Sequence, residues 1–558
     1  MNKFKFNILV AAVAASGMLS SCAESWLDTT SMVDDNTETA YRTEQNAYRA
    51  LIGCYDAYRR TNVSFSFPFV SEVMSDQTFA GMGPSDITPT AIDRFDLSFA
   101  PSQHDFLSEL WTNYWKVIYR CNFLISQEEN IQWGNNRGLY MGQCRAIRAF
   151  NYFEMVRIWG NIPLFLEPVN ENREQAPIDD VYNAIFEDLK YACENIPANA
   201  YPKADAAAND GYLTQAAAKA MLARAYLFYT GRYGKEPAVE GVTKASVLQG
   251  LEDVIASGEY KLVDEFKNLW VPASVKVSAN EKTFDTAKTT YAGDGNSEVV
   301  FSIKFSGLGT WNSIGANNVS EDYGNHWIVM LGSRSLAPVK ANLDTPYGTG
   351  WGSWQVNPRF YESFEAGDTR RDASIFSYYD KKINLHAEWD NLLNDSKDFT
   401  GYAQTKYMPM AYYDASSATI NLSDMQISQN QDYVVMRYAD VLLMAAELGS
   451  SNALKYLNEV AGRAYGDRNH YTACTQENIM NERYKEFAFE GIHYWDLLRQ
   501  GLNVAAAAVT ESMTVSSLGV ETTYTVNGQN LIDKEGYLQI PQTQITLSNG
   551  VLKQNKGW

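Results

Sequence analysis

Apolar residues recur at helical spacing through the first half of the chain. From Thr43 to about Gly258 they return every three or four positions, which places them along one face of an α-helix. Serine and threonine are favoured N-caps, because the hydroxyl oxygen accepts a hydrogen bond from a free backbone N–H group. The pattern predicts five helices, which begin at Thr43, at Ser102, near Leu139, near Val181 and at Thr214.

Glycine and proline mark the expected ends of three of these helices. Gly160, followed by Pro163, ends the third helix, Pro197 ends the fourth and Gly231 ends the fifth. The short connections between them favour antiparallel neighbours. No strict 34-residue repeat is visible, yet paired helices of this length stack most easily as a tetratricopeptide-like array.

The pattern changes between about residues 278 and 432, where Gly, Asn, Asp and aromatic residues replace the helical periodicity. One strand is predicted there, at 298–305. The sequence therefore predicts a predominantly α fold, with a helical scaffold and a large irregular, loop-rich side that contains few short strands. Helices are predicted again at 433–448, 452–465 and 475–499. The predicted divisions are a signal segment at 1–21, a helical region at 22–275 and a carboxyl-terminal region at 276–558, with the loop-rich insert at about 278–432.

The net charge of the chain argues against some classes of binding partner. Its 558 residues include 46 Lys and Arg against 66 Asp and Glu, which gives a formal net charge of −20. An acidic surface argues against nucleic-acid binding, which depends on basic residues that displace phosphate counterions. An acidic chain is also repelled by an anionic membrane surface, so attachment to a membrane needs another cause.

The amino terminus supplies that cause. Lys3 and Lys5 precede an apolar run at residues 8–15, which is typical of a secretory signal and too short to span a bilayer. The signal ends in Leu19-Ser20-Ser21-Cys22, which looks like a bacterial lipobox. We therefore expect cleavage before Cys22 and lipidation of Cys22, which anchors the chain to the membrane. The alternative is a secreted protein in which Cys22 belongs only to the signal.

The other five cysteines do not suggest a disulfide framework. Their number is odd, their spacings are wide and no CxxC motif occurs, so the sequence indicates no zinc site either. Most of them fall within apolar helical patterns, where buried structural thiols are expected. These five cysteines are Cys54, Cys121, Cys144, Cys193 and Cys474.

Known catalytic motifs are absent from the sequence. HExxH, GxSxG, GxxxxGK[ST] and the dinucleotide GxGxxG do not occur, and the five histidines have no metal-ligand spacing. Carboxylates crowd one segment, but they alternate with cations at helical spacing, which favours ion-paired helix faces over an acid/base pair. These carboxylates are Glu482, Glu486, Glu490 and Asp496. No enzyme activity and no cofactor are predicted. Asp- and Asn-rich loops such as 390–398 permit calcium binding but do not specify it.

Aromatic residues are concentrated in a glycine-rich window at 305–360. Because irregular, glycine-rich backbone buries rings poorly, we expect some of them to face solvent or a groove, where an indole suits the C–H face of a sugar ring. The alternative is that the rings pin long loops onto the helices. A second candidate patch lies at 65–79. The predicted ligand contacts are the rings of Trp311, Tyr323, Trp327, Trp351 and Trp354 and the polar groups of Asp76, Asn312 and Asp322.

Several motifs resemble those of one family of nutrient-binding proteins. They include Trp26-Leu27-Asp28, Arg145-x-x-Arg148-Ala149-Phe150, Arg437-Tyr438-Ala439-Asp440, Asn481-Glu482-Arg483-x-x-Glu486 and Phe489-Glu490-Gly491-x-x-Tyr494-Trp495-Asp496. Nearly the whole chain resembles the SusD/RagB family of outer-membrane lipoproteins. It departs from the family at His493, where Arg is frequent, and at Trp558, which replaces a final Tyr.

The resemblance implies four tetratricopeptide-like helix pairs with an irregular ligand-binding side opposite them. It implies a non-catalytic, surface-exposed lipoprotein of the cell outer membrane that captures glycans beside a SusC-like TonB-dependent transporter. The identity of the ligand does not carry over, because the ligand contacts of the family lie in variable loops. Two alternatives remain, a peptide-capturing RagB-like member of the same family and a surface glycosidase, which would need two carboxylates in a cleft.

Overall fold

A computed structural model of the protein describes residues 41–83, 86–100, 102, 105–277, 284–306, 324–334, 347–410, 412–414, 419–421 and 429–558. The predicted signal segment at 1–21 lies outside these residues. Five residues with predicted roles in lipidation or ligand binding also lie outside them, and their roles stay predictions. These are Cys22, Trp311, Asn312, Asp322 and Tyr323.

Helices dominate the described part of the chain. The amino-terminal helices are α1 Glu44–Arg59, α2 Phe67–Val73, α3 Ile87–Arg94, α4 Ser108–Ser126, α5 Arg137–Trp159, α6 Ile178–Asn195, α7 Ala206–Asn209, α8 Gln215–Tyr233, α9 Lys244–Ala256 and α10 Val271–Ser274. The later helices are α11 Pro358–Glu362, α12 Arg370–Ser374, α13 Tyr378–Asp395, α14 Tyr438–Glu447, α15 Ala453–Tyr465, α16 Gln476–Glu486, α17 His493–Gln500, α18 Leu502–Val509, α19 Gly528–Asp533 and α20 Gln542–Leu547. Short 3₁₀ helices occupy Glu128–Asn130, Lys203–Asp205, Phe266–Leu269 and His326–Leu331.

The strands are short and form small sheets. They are β1 Thr78–Phe79, β2 Val275–Val277, β3 Phe284–Thr289, β4 Val299–Ile303, β5 Gln355–Val356, β6 Ile375–Ser377, β7 Tyr402–Gln404, β8 Tyr412–Asp414, β9 Thr419–Asn421, β10 Tyr433–Arg437, β11 Glu511–Ser517 and β12 Val520–Val526. One sheet has four strands in the order β1-β5-β7-β6, and β10 with β4, β11 with β12, β2 with β3 and β8 with β9 form two-stranded sheets.

The long helices form the predicted tetratricopeptide-like scaffold. In chain order, α1, α4, α5, α6, α8, α9, α14 and α15 each pack against the next, which gives four helix pairs in one continuous row. Their contacting faces belong to one large hydrophobic core. The fold is therefore predominantly α with a loop-rich remainder, as the sequence predicts.

The predicted helix starts at two threonines are confirmed. Thr43 and Thr214 have extended backbone, and each side-chain oxygen accepts a hydrogen bond from the N–H group three residues later. The start at Ser102 is wrong, because α4 begins at Ser108 after Leu107, whose φ is +66°. The end at Gly231 is also wrong. Helix α8 continues to Tyr233 and ends at Gly234 in the left-handed conformation.

Two predicted carboxyl-terminal helices are divided in the structure. The segment predicted as a helix at 433–448 begins as strand β10, which pairs antiparallel with β4 and leaves only Tyr438–Glu447 helical. The helix predicted at 475–499 is interrupted between α16 and α17. Phe489 and Gly491 have φ values of +62° and +74° there, which a continuous right-handed helix does not allow.

Within the described part of the chain, none of the helices combines the length and the apolar character needed to cross a membrane.

Candidate functional site

The two candidate patches of the sequence lie against each other in the structure. Strand β1 of the patch at 65–79 pairs with β5 of the aromatic window at 305–360, with Thr78 opposite Val356. The Oγ of Ser64 lies 3.1 Å from Nδ1 of His326, which begins a 3₁₀ helix in the loop-rich insert. Segments about 260 residues apart in sequence therefore form one surface.

Backbone hydrogen bonds hold the glycine-rich loop around Trp351 in place. The N–H of Trp351 donates to the carbonyl oxygen of Val329 at 2.8 Å. On either side, the N–H of Gly350 donates to Ser333 and that of Gly352 donates to Gly332, both at 2.8 Å. The loop is therefore anchored to the end of the 3₁₀ helix by its main chain.

The glycines of this loop allow two backbone segments to cross. A Cβ atom at Gly332 would lie 2.6 Å from the backbone nitrogen of Gly350, and a Cβ at Gly350 would meet the backbone of Gly332 even more closely. Real Cβ atoms do not approach backbone at such distances. Glycine is needed here for close approach of two chain segments.

Two of the predicted contact rings are buried, and the expectation that they face a ligand is wrong. Trp327 has no exposed surface and Trp354 is 1% exposed. The two indoles lie 5.6 Å apart between centroids, and Trp327 also packs on Tyr407 at 5.0 Å. For these two residues the alternative interpretation holds, since their rings pin the loops onto the core.

Trp351 remains a candidate contact. Its ring is half-buried, and its centroid lies 6.5 Å from that of His326 in an edge-on arrangement. Its carbonyl oxygen accepts a hydrogen bond from Nη1 of Arg334 at 3.1 Å. Among the predicted tryptophans that the structure describes, Trp351 alone retains an exposed portion.

Polar groups surround Trp351. Asp86 accepts hydrogen bonds from Arg334 at 3.3 Å and from Lys397 at 3.4 Å. These side chains keep part of their surface exposed to solvent. We call this surface the Trp351 rim, and it comprises Ser64, Asp86, His326, Arg334 and Trp351. An indole face beside donors and acceptors suits a sugar ring with its hydroxyl groups.

Asp76 lies in a contact between structural elements and not on the Trp351 rim. Nε2 of His493 lies 2.7 Å from its Oδ1, and the hydroxyl of Tyr484 donates to its Oδ2 at 3.3 Å. Its side chain is only 12% exposed. The predicted role of Asp76 in ligand binding is therefore not supported by its surroundings. The same contact gives His493, a departure from the resembled family, a structural partner.

Sequence reasoning did not identify a cluster of three tyrosines on the loop-rich side. Tyr361 and Tyr402 stack with centroids 4.4 Å apart, and Tyr379 contacts Tyr402 edge-on at 5.5 Å. Tyr379 is 49% exposed. These residues come from α11, α13 and β7, so no spacing in the sequence indicates that they meet.

A large groove lies elsewhere, on the helical scaffold. It has a volume of about 520 Å³ and lies between α4, the loop at 163–173 and α20. Its apolar wall includes Trp115 and Phe165, whose rings are 5.5 Å apart, and Arg173 covers Phe165 at 4.6 Å. The groove contains none of the predicted contact residues.

The crowded carboxylates of the carboxyl-terminal region belong to a buried ion network. Arg437 bonds Glu298 at 2.6 Å, Glu486 at 2.9 Å and Glu490 at 2.8 Å. Lys406 bonds Glu490 at 2.7 Å. The network comprises Asp368, Glu298, Glu482, Glu486 and Glu490 with Arg370, Lys406, Arg437 and Arg463.

The electrostatics of this network favour a structural role. Burial alone would raise the pKa of Glu486, but Arg463 and then Arg437 and Arg370 lower it to about 2. The carboxylate of Asp496 is also paired with two cations, since it accepts hydrogen bonds from Arg483 at 2.7 Å and from Arg499 at 2.8 Å. The prediction that these carboxylates are ion-paired is confirmed, but the predicted helical spacing holds only for Asp496, which pairs with Arg499. Glu482, Glu486 and Glu490 pair with cations that lie far away in the sequence.

Comparison with known proteins places this fold in a family. The model of the SusD family matches residues 297–558, and a model described as starch-binding associating with outer membrane matches residues 25–227. The chain belongs to the SusD family. Both matches lie within the predicted helical and carboxyl-terminal regions.

Relatives agree with this assignment. The chain is 26% identical over 415 residues to SusD-like protein P2 of Formosa agariphila, a match that covers 70% of this chain and 71% of that protein. It is 23% identical to a SusD-like protein of Bacteroides ovatus, over 88% of this chain and 82% of that one.

Two solved structures show the same fold. Surface glycan-binding protein A from Bacteroides fluxus matches with a TM-score of 0.71 and 24% identity, over 93% of this chain and 100% of its own. Surface glycan-binding protein A from Bacteroides thetaiotaomicron in complex with laminarihexaose matches with a TM-score of 0.70 and 22% identity, over 92% of this chain and 99% of its own.

Proposed function

We propose that this SusD-family protein is a non-catalytic, surface-exposed outer-membrane lipoprotein that captures glycans. In this proposal the lipid on Cys22 anchors the chain, and a SusC-like TonB-dependent transporter receives the glycan. The observation that carries the proposal is the family match over both halves of the chain. The laminarihexaose bound to one protein of the same fold supports a glycan as the ligand class.

The Trp351 rim is the proposed capture surface. It offers a half-buried indole beside Arg334, Asp86 and His326, which is the combination of apolar face and polar groups that sugars require. We keep the other predicted contacts that lie outside the described residues as part of this proposal. These are Trp311, Tyr323, Asn312 and Asp322.

Weak binding suits transfer to a second protein. A dissociation constant near 1 mM corresponds to about −4 kcal/mol, which a stacked ring and a few hydrogen bonds supply. Attachment to the same membrane as the transporter raises the effective concentration of the captured glycan without additional contacts. Tight binding would slow the release that transfer needs.

The test is binding of a glycan panel that includes laminarin, measured by affinity gel electrophoresis and calorimetry on the chain without its signal segment. We expect Trp351→Ala to weaken binding at least tenfold, or about 1.4 kcal/mol. Trp133→Ala is the matched control, because Trp133 is also half-buried but lies on the scaffold beside Glu128. It should leave affinity unchanged.

Three outcomes would contradict the proposal. Retention of peptides but of no glycan would favour the peptide-capturing alternative. Release of reducing sugar by the purified protein would favour the glycosidase. Unchanged glycan affinity in Trp351→Ala would mean that the capture surface lies elsewhere on the protein. The family assignment would not be affected.

A further inference from the structure

Three buried cysteines meet inside the helical scaffold, away from the Trp351 rim. Cys54 lies on α1, Cys121 on α4 and Cys144 on α5, and none of the three side chains is exposed. Their Sγ atoms all lie within 4.8 Å of one another. Each of three neighbouring helices thus contributes one thiol to a single cluster, although the cysteines are widely spaced in the sequence.

The spacing of the sulfur atoms suits a metal ion with three ligands. With metal–sulfur bonds of about 2.3 Å, three sulfurs in a plane around one ion lie about 4 Å apart. Sulfurs within 4.8 Å of one another reach that arrangement by small rotations of the side chains. A disulfide bond needs a much shorter distance between two sulfur atoms, of about 2.05 Å, and would leave the third cysteine as a free thiol.

The number and type of ligands at this point favour some metal ions over others. Among the described residues, no histidine or carboxylate joins the three sulfurs. Structural zinc sites use four ligands, so a fourth group would be missing for zinc. Thiolate ligands select soft ions, of which Cu(I) accepts three sulfur ligands.

We propose that Cys54, Cys121 and Cys144 form a buried three-sulfur site for Cu(I). Copper binds and remains as Cu(I), so no oxidant or reductant takes part. Cu(I) bound by one thiolate and two neutral thiols releases one proton to solvent and leaves the site electrically neutral. Each further thiol that binds as a thiolate releases one more proton and adds one negative charge. The site joins the first helices of the scaffold and is independent of glycan capture.

The chain offers its own control for this proposal. Cys193 on α6 and Cys474 are half-buried cysteines outside the group of three. The double variant Cys193→Ala/Cys474→Ala therefore removes the other thiols and retains the proposed site. All variants carry Cys22→Ser and lack the signal segment, so that the lipidation site contributes no thiol.

The experiment titrates each variant with Cu(I) under anaerobic conditions in competition with bicinchoninate, and counts bound copper by native mass spectrometry. We expect one tightly bound copper in the parent and in the double variant. Cys121→Ala should bind copper at least a hundredfold more weakly. X-ray absorption of the loaded parent should report three sulfur ligands.

Three results would overturn the proposal. They are failure of the parent to retain copper against the competitor, unchanged retention in Cys121→Ala, and loss of copper in the double variant. If Cys121→Ala does not fold, the X-ray absorption of the parent decides, because fewer than three sulfur ligands would contradict the site.

Discussion

The indole Nε1 of Trp354 donates a hydrogen bond to the main-chain oxygen of Phe69 at 3.2 Å, and the two rings stack with centroids 5.9 Å apart. This contact joins the loop-rich insert to helix α2. Trp354 adopts a φ of +54°, in the left-handed region that a bulky residue rarely occupies. The surrounding packing holds this backbone in place, so Trp354 is a core residue of the loop-rich side.

Replacing Trp354 should therefore cost stability. Trp354→Ala removes a buried indole and leaves a cavity, and we expect the free energy of unfolding to fall by about 3–5 kcal/mol. Trp351→Ala is the comparison, because Trp351 lies in the same loop but is half-buried, and its loss should be less than half as large. Guanidinium denaturation measures both variants, and equal losses would contradict the assignment of the two rings.

The helical scaffold was predictable from the sequence because its signals are local. A threonine at an N-cap and apolar residues three and four apart act within a few residues, and the helices after Thr43 and Thr214 begin where this pattern predicts. The division of the segment at 433–448 depends on β4, more than 100 residues earlier in the chain. A local pattern contains no information about such a partner.

The candidate site was only partly predictable for the same reason. The aromatic, glycine-rich window does form part of the loop-rich surface, and Trp351 retains an exposed portion. The burial of Trp354 depends on Phe69, a residue 285 positions away. The sequence pattern indicates a backbone loosened by glycine, whereas Gly332 and Gly350 allow two segments to pack closely.

The buried ion network should respond strongly to the loss of one cation. Arg437→Met leaves Glu298, Glu486 and Glu490 with fewer compensating charges in the core. We expect a loss of about 3–5 kcal/mol in the free energy of unfolding, because an uncompensated buried charge is costly. Urea denaturation at neutral pH measures the effect.

An exposed ion pair provides the control for this prediction. Lys190 and Glu194 lie one helical turn apart on α6, with their charged groups 2.8 Å apart and largely in solvent. Lys190→Met should leave the unfolding midpoint nearly unchanged, because surface pairs contribute little. A loss in this variant comparable to that of Arg437→Met would argue against burial as the cause.

A buried carboxyl group should make stability depend on pH. Burial raises the pKa of Glu154 to about 7, although the hydroxyl of Tyr114 donates a hydrogen bond to it and opposes the shift. The folded protein therefore holds this proton more tightly than the unfolded chain does. The contribution of Glu154 to stability is complete below the unfolded pKa of about 4.5 and is lost as the pH rises through about 7.

Glu154→Gln tests this dependence. The amide oxygen of glutamine still accepts the hydrogen bond from Tyr114 but does not ionise. We expect the variant to lose less stability than the parent between pH 4.5 and 7, with a difference of about 3 kcal/mol across that interval. Denaturation midpoints at a series of pH values measure it, and parallel curves for the two proteins would exclude the predicted role.

The close crossing at Gly350 should control both the stability of the loop and the ligand surface. Gly350→Ala places a Cβ against the backbone of Gly332, which has no flexible side chain that moves aside. We expect the loop to shift, at a cost of about 1–3 kcal/mol in stability, because overpacking strains the surrounding structure. Since Trp351 directly follows Gly350, the shift should also displace its ring, and glycan affinity should fall.

Gly348→Ala is the matched control for this crossing. Its Cβ would lie 3.4 Å from the backbone of Met410, which is an ordinary contact, so the loop has no reason to move. Glycan affinity should therefore stay unchanged in Gly348→Ala while it falls in Gly350→Ala. Calorimetry on both variants below their unfolding temperatures measures this difference, and equal affinities would mean that the crossing does not position the Trp351 rim.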